Sequence, residues 1–253
     1  MKIGAQFFTL RDKCTNLDDF SETLKRVADI GYTEVQISGV CKYEPEWLRD
    51  ELKKSGLSCV ITHFCADEIK NDPVGVVKNH NIFGCKNIGL GSMPGGIVTE
   101  ESLGKFISDY KPVAKIIKEN GSKLFYHNHH WEFSRLKTGE MLIEKLVKSF
   151  DEDELNITLD TYWAQYGGCN VCDIISKLKG RLECVHLKDM VIVGDEQRMA
   201  PVGYGNMNFE RIVKALDDAG SKHLLVEQDN SYGEDPFECL RKSYEYLKSL
   251  GLK

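Results

Sequence analysis

Eight times along this 253-residue chain, a short run of β-branched and aromatic residues gives way to a longer amphipathic stretch, with no break in composition. The strand-like runs are KIGAQFF (2–8), EVQIS (34–38), LSCVITH (57–63), KNIGL (86–90), KLFYHN (123–128), NITLD (156–160), LECVHL (182–187) and HLLVEQ (223–228). Helix-like segments lie between and after them, at 18–30, 45–55, 73–83, 99–119, 138–149, 171–178, 208–219 and 235–249. ADIGY, KKSGL, KENGS and DDAGS each put a glycine where a helix closes and a strand can start at once. LDDF and VTEE supply polar caps and acidic first turns at helix starts. Strand then helix, with short returns, requires parallel strands and right-handed crossovers. The expectation is one α/β domain over residues 1–253, a closed (β/α)8 TIM barrel. An open doubly wound sheet competes, but the first strand-to-helix turn has no Gly-rich phosphate fingerprint.

In such a barrel the C-terminal strand ends and the loops after them form the face where chemistry occurs. Here five strands finish in or beside a residue that can bind a metal or move a proton: His63, His127, Asp160, His186 and Glu227. Side chains alternate between the two faces of a strand, and Phe125 with His127, Cys184 with His186, and Leu225 with Glu227 share parity. The polar groups therefore continue rows of interior side chains. Asp160, His186 and Glu227 would converge on one point, with His127 or Glu132 as a fourth member. Taken singly, a strand-end Asp also serves as a helix cap and a lone His as a hydrogen-bonded core residue. In register on successive strands they form a mixed carboxylate and imidazole set that suits Mn²⁺, Co²⁺ or another first-row divalent ion.

Gln6 faces this centre from the first strand, and Tyr162 and Trp163 follow Asp160 as an apolar wall for a sugar ring. Lys188 either meets a carbonyl oxygen or pairs with Asp189. His129 and His130 lie past the end of the fifth strand, where His129 can orient a substrate hydroxyl, and Glu132 is placed as general base or ligand. In PVGYGNMNF (201–209) a glycine turn leads to a helix capped by Asn206 or Asn208. With no Lys, Arg or Ser beside the glycines, a phosphate site and an ordered lid are equally open.

Lys and Arg number 33 against 39 Asp and Glu, a formal net charge of −6, and no basic stripe exists to meet a nucleic acid backbone. The first residues, MKIGAQFFTLRDKC, do not read as a signal peptide, and no run reaches the length of a bilayer span. The nine scattered cysteines fit reduced, buried thiols in the cytoplasm. Cys169 and Cys172 have the spacing of a redox or zinc pair but no second pair to complete a site.

GAQFFTLRD, YHNHHWEF, LDTYW, VHLKDM, PVGYGNMNF and VEQD, in this order, resemble the sugar phosphate isomerase/epimerase family of xylose isomerase-like barrels. The YHNH segment is similar to that of inosose dehydratases and of enzymes acting on 3-keto-glycosides. The resemblance implies one divalent metal, Mn²⁺ first, with Co²⁺, Mg²⁺ or Zn²⁺ as alternatives. It implies enolisation next to the carbonyl of a keto-sugar, keto-inositol or keto-glycoside, followed by isomerisation, epimerisation or elimination. Carried over by motif, Asp160, His186 and Glu227 are ligands. Ketose epimerases carry a glutamate at the end of the fifth strand, where this chain has His127, with Glu132 five residues later. The catalytic candidates are Glu132, Glu227, His127 and Lys188, and the substrate-binding candidates are Gln6, His63, His129, Trp163 and Asp189. The expected partner is a small sugar, with neither nucleic acid nor membrane, and a homo-oligomer is left open. Two other readings compete. A phosphodiesterase of the abasic-site endonuclease type would need three zincs and a basic surface, and a non-catalytic sugar-binding barrel would need no metal.

Overall fold

Runs such as LFY (124–126), apolar on both faces of the pleat, can be satisfied only in a strand covered on both sides. The computed structural model describes residues 1–253 and buries these runs so. In chain order the first half comprises β1 (Lys2–Gln6), α1 (Leu17–Ile30), β2 (Glu34–Ile37), α2 (Pro45–Ser55), β3 (Ser58–His63), α3 (Ala66–Asn71), α4 (Pro73–Ile82), β4 (Asn87–Leu90), α5 (Glu100–Glu119) and β5 (Lys123–His127). The second half comprises α6 (Leu142–Lys148), β6 (Leu155–Asp160), α7 (Thr161–Tyr166), α8 (Val171–Lys177), β7 (Cys184–Leu187), β8 (Asp189–Val193), β9 (Glu196–Ala200), α9 (Phe209–Ala219), β10 (His223–Val226) and α10 (Pro236–Ser249).

Eight of the strands close in the order β1-β10-β7-β6-β5-β4-β3-β2, each parallel to its neighbours. This is the (β/α)8 barrel expected from the alternation. Gly56 and Gly220 close α2 and α9 at φ +69° and +83°, as the sequence indicates. Four local features differ from expectation. The first strand stops at Gln6, whose side chain caps a 3₁₀ segment over Phe7–Lys13. The helix expected from 138 starts at Leu142, after a turn that bridges Arg135 and Met141. The short helices α3 and α7 occupy stretches read as loop, and the connection after β7 contains the antiparallel hairpin β8–β9.

The pleat separates two cores. Outward-facing Leu124 and Tyr126 join the 61-residue cluster between barrel and helices, to which α1 contributes Phe20, Leu24 and Val27. Phe125, between them, points inward and packs with Ile61, Cys184 and Leu225 as a layer across the barrel. Burying each such side chain contributes about 1.5–3 kcal/mol. β1 has no side chain at Gly4 because a Cβ there would lie 2.6 Å from Leu225 Cδ2. The apolar layer thus floors the barrel directly beneath His127, His186 and Glu227. All nine cysteines are free thiols, Cys169 and Cys172 included. No helix is long and apolar enough to cross a membrane.

Candidate metal centre

One step above the apolar layer, the pleat brings His127, Asp160, His186 and Glu227 together from β5, β6, β7 and the end of β10. Asp160 is in register with His186 on the neighbouring strand, and Glu227 follows two residues after Leu225, which is itself in register with His186. One potential ligand atom from each of the four lies within 4.8 Å of the others, and all four residues are buried.

Hydrogen bonds fix which nitrogen each histidine offers. His127 Nδ1 lies 2.9 Å from the Gly91 carbonyl and so must donate, which leaves the lone pair on Nε2, 3.4 Å from Asp160 Oδ2. His186 Nε2 lies 2.7 Å from Gln36 Oε1, which leaves Nδ1 as the acceptor nitrogen, 2.9 Å from Glu227 Oε2. Neither His186 Nδ1 nor Glu227 Oε2 has a hydrogen-bond partner, although both atoms are buried. Two buried acceptors facing each other repel unless a cation lies beside both. Gln6 Nε2 donates to the other Glu227 oxygen at 2.6 Å. Asp160 performs both roles that its position suggested: Oδ1 accepts from Trp163 N at 3.0 Å as the cap of α7, while Oδ2 faces the cluster. Such outer partners orient ligands and fix their tautomers in metal sites. Two imidazoles and two carboxylates fit a first-row divalent ion.

Charge follows the same pattern. Burial opposes ionisation of Asp160, but Lys188 and then His127 outweigh it and hold the carboxyl below its ordinary value. Glu227 is held well below its own, with burial opposing and Lys188 and His186 prevailing. Burial opposes the charged form of His127, and Asp160 overrides it. The field that favours a proton on Nε2 would equally favour a metal cation in its place. Burial lowers His186, which keeps its imidazole neutral, the form a metal requires.

Lys188 is 1% exposed, with Nζ at 3.0 Å from Asp160, 2.9 Å from Glu227 and 3.0 Å from Asp229. Burial opposes its charge, and Asp160, Glu227 and Asp229 together raise it. Asp229 is pushed up to about 6, by burial first and then by the charge of Glu227. Above the cluster opens a cavity of about 600 Å³, lined among others by Gln6, Phe8, His63, His129, Trp131 and Asp229, with the Gly91–Gly96 loop along one side. His63 stands with its ring 5.1 Å from that of His127 and 5.4 Å from that of His186, and its Nε2 has no partner. Burial, then His127, pushes His129 down to about 3, so it faces the cavity as a neutral ring.

Three expected site residues lie elsewhere. Glu132 is not in the cluster: it sits on the outer side of β5, where its carboxylate accepts from Tyr126 Oη at 2.6 Å and from His129 N at 2.9 Å. Tyr126 has outward parity, so a carboxylate bound to it cannot also reach the barrel axis. Glu132 is therefore outside the four-residue cluster, and its carboxylate clasps the His129 loop. Asp189 does not line the cavity either. It is buried and accepts from the backbone N–H groups of Met190, Gly203, Gly205 and Met207, which folds PVGYGNM around a carboxylate rather than a phosphate. Trp163 is not part of the cavity lining; its ring packs 5.3 Å and 5.4 Å from those of His129 and His130 and lies 5.5 Å from Lys188 Nζ. Gln36, Phe8 and Trp131 were not on the expected list. Gln36 had a signal, since a glutamine inside the buried run EVQIS needs a partner, and it pairs in register with Gln6.

Against known proteins, the family model described as the xylose isomerase-like TIM barrel matches residues 24–250. The chain belongs to the xylose isomerase-like TIM barrel family. Within it, the chain is 28% identical over 169 residues to an inosose dehydratase of Clostridium perfringens, a match covering 60% of this chain and 56% of that one. The match therefore spans about half the length of that relative. Among solved structures of this barrel, a sugar phosphate isomerase/epimerase from Parabacteroides distasonis superposes with a TM-score of 0.81 at 23% identity, covering 98% of this chain and 93% of that one. The IolI protein, solved with a bound zinc atom, superposes with a TM-score of 0.73 at 16% identity, covering 99% and 98%.

Proposed function

We propose that this barrel is a divalent-metal-dependent enzyme that removes the proton next to the carbonyl of an uncharged keto-sugar or keto-cyclitol. Isomerisation, epimerisation or loss of a β-substituent follows. The observation that carries the reading is the pair of histidines whose outer nitrogens are held by Gly91 and Gln36, so that both inner lone pairs meet Asp160 and Glu227. His127, Asp160, His186 and Glu227 would hold the ion, Mn²⁺ being the first candidate. When bound, it supplies Lewis-acid stabilisation of negative charge on the substrate's oxygens. Inosose dehydratase and ketose epimerase chemistry among similar proteins agrees with this.

The chain's own groups divide the remaining tasks. Glu227, steadied at Oε1 by Gln6, takes the α-proton. The Lys188 ammonium faces the developing oxyanion and keeps its proton close to that oxygen. His63 and His129, neutral and with free buried nitrogens, bind substrate hydroxyls. Phe8 and Trp131 give the ring an apolar wall. Lys188 is the only Lys or Arg lining the cavity, and three carboxylates already surround it. A phosphate group would find no free cation there, which favours unphosphorylated substrates and counts against a phosphodiester.

The test is metal analysis followed by NMR detection of solvent deuterium entering the α-position of candidate keto-sugars and keto-cyclitols. Exchange should require the ion, stop with chelator, and fall by roughly 10²-fold or more in Glu227→Gln. A protein that retains no divalent metal after reconstitution, or exchange indifferent to Glu227, refutes the reading.

A further inference from the structure

Lys188 presents a difficulty for a metal centre. Its ammonium lies within 3.0 Å of Asp160 Oδ2 and 2.9 Å of Glu227 Oε2, oxygens of two residues in the ligand set. An ammonium and a divalent cation sharing the same carboxylates in a buried pocket repel each other. Lysine at this place therefore opposes metal binding unless something compensates.

Asp229 is placed to do so. It lies outside the ligand cluster, on the cavity wall, two residues beyond Glu227. Among the three carboxylates around Lys188, Asp229 accepts a hydrogen bond from Nζ at 3.0 Å. Glu227 Oε2 lies equally close, at 2.9 Å, but Glu227 belongs to the ligand set and Asp229 does not. The ammonium thus has one carboxylate partner that lies outside the ligand set. Charge points the same way. Asp160, Glu227 and Asp229 carry three negative charges, and Lys188 with a divalent ion carries three positive ones. Without Asp229 the loaded site would hold an uncompensated positive charge away from water.

We propose that Asp229 is a positioning residue for the metal centre: it draws the Lys188 ammonium to itself and supplies the counter-charge that leaves Asp160 and Glu227 to a divalent cation. The proposal rests on the four-residue cluster being a metal centre, and the experiment separates the two claims. Mn²⁺ is titrated into the full-length protein at mildly alkaline pH, with free ion read by electron paramagnetic resonance and folding checked by circular dichroism. Wild-type protein should bind one equivalent; no binding there overturns the metal centre and this proposal with it. Asp229→Asn should bind Mn²⁺ roughly tenfold or more weakly, the scale of losing an outer-shell partner, although Asp229 is not a ligand. Asp229→Glu should recover most of that loss. Lys188→Met should bind more tightly than wild type, and Asp229→Asn combined with Lys188→Met should regain wild-type affinity or better. Wild-type affinity in Asp229→Asn, or a double variant as weak as Asp229→Asn alone, overturns the role of Asp229 while leaving the metal centre standing. Should Asp229→Asn not fold, Lys188→Met alone decides, and affinity no tighter than wild type overturns the proposal.

Discussion

Replacing Gln36 with leucine removes the acceptor that holds His186 by Nε2 at 2.7 Å, without changing the size of the side chain much. Both residues are fully buried, so no water substitutes for the lost oxygen. The imidazole is then free to move its proton to Nδ1, where Glu227 Oε2 waits 2.9 Å away. In that tautomer the nitrogen facing the cluster is a donor, and the proton must return to Nε2, now unpartnered, before a metal can bind. The energy at stake is that of a hydrogen bond involving a charged partner, about 1.5–3 kcal/mol. At about 1.4 kcal/mol per tenfold, this corresponds to a loss of roughly 10- to 150-fold in metal affinity. Measured losses for outer-shell partners of metal-bound histidines, about 10–100-fold, fall in the same range. Competition between the protein and a chromogenic chelator for Mn²⁺ or Zn²⁺ gives the affinity directly. Gln36→Glu, which retains an acceptor, should stay much closer to wild type than Gln36→Leu. A folded Gln36→Leu protein that binds either ion as tightly as wild type would mean that Gln36 does not set the tautomer of His186, or that His186 is not a ligand.

Glu132→Gln should keep its metal, because the carboxylate lies outside the cluster, but should lose about 1–3 kcal/mol of stability as the short bond from Tyr126 weakens; a large loss of metal in equilibrium dialysis would return Glu132 to the ligand set. Beneath the barrel, Glu34 is 3% exposed at its side chain, between His223 Nδ1 at 2.6 Å and Lys2 Nζ at 3.0 Å. Burial alone would raise its pKa, but His223 and then Lys2 outweigh burial and lower it. A carboxyl depressed in the folded state stabilises above its unfolded pKa, about 4.3 for Glu, and loses that contribution as pH falls through the folded value. Glu34→Gln should therefore be less stable than wild type by about 1.5–3 kcal/mol at neutral pH. In urea titrations the gap should close below about pH 4.3, and a gap that persists or widens in acid would contradict the ion pairing.

Much of this molecule is legible in the sequence because the decisive rules are local. Strand and helix periods, closing glycines and acidic first turns specify eight β/α units, and the barrel is the arrangement that covers both faces of every strand. Parity is local as well. Once Phe125, Cys184 and Leu225 are assigned to the interior, His127, His186 and Glu227 must continue the same rows, and the structure stacks them so. Glu132 was not legible, since it lies past the strand end, where parity stops and the 3₁₀ turn over Trp131–Phe133 sets its direction toward Tyr126. The clasp of Asp189 on Gly203, Gly205 and Met207 and the hairpin β8–β9 depend likewise on how a long connection folds back on itself.

The sequence by itself determined the barrel and the strand-end positions from which ligands can converge, because a period-2 pleat dictates the facing of a side chain from its immediate neighbours. Only the tertiary structure decided what those groups are to one another. Which nitrogen His186 presents depends on Gln36, 150 residues away in the chain, and the setting of Lys188 depends on Asp229, 41 residues away. Hydrogen bonds and charge pairing act through space at distances of about 3 Å. No pattern along the chain encodes them until closure of the barrel brings β2, β7 and the end of β10 to the same level.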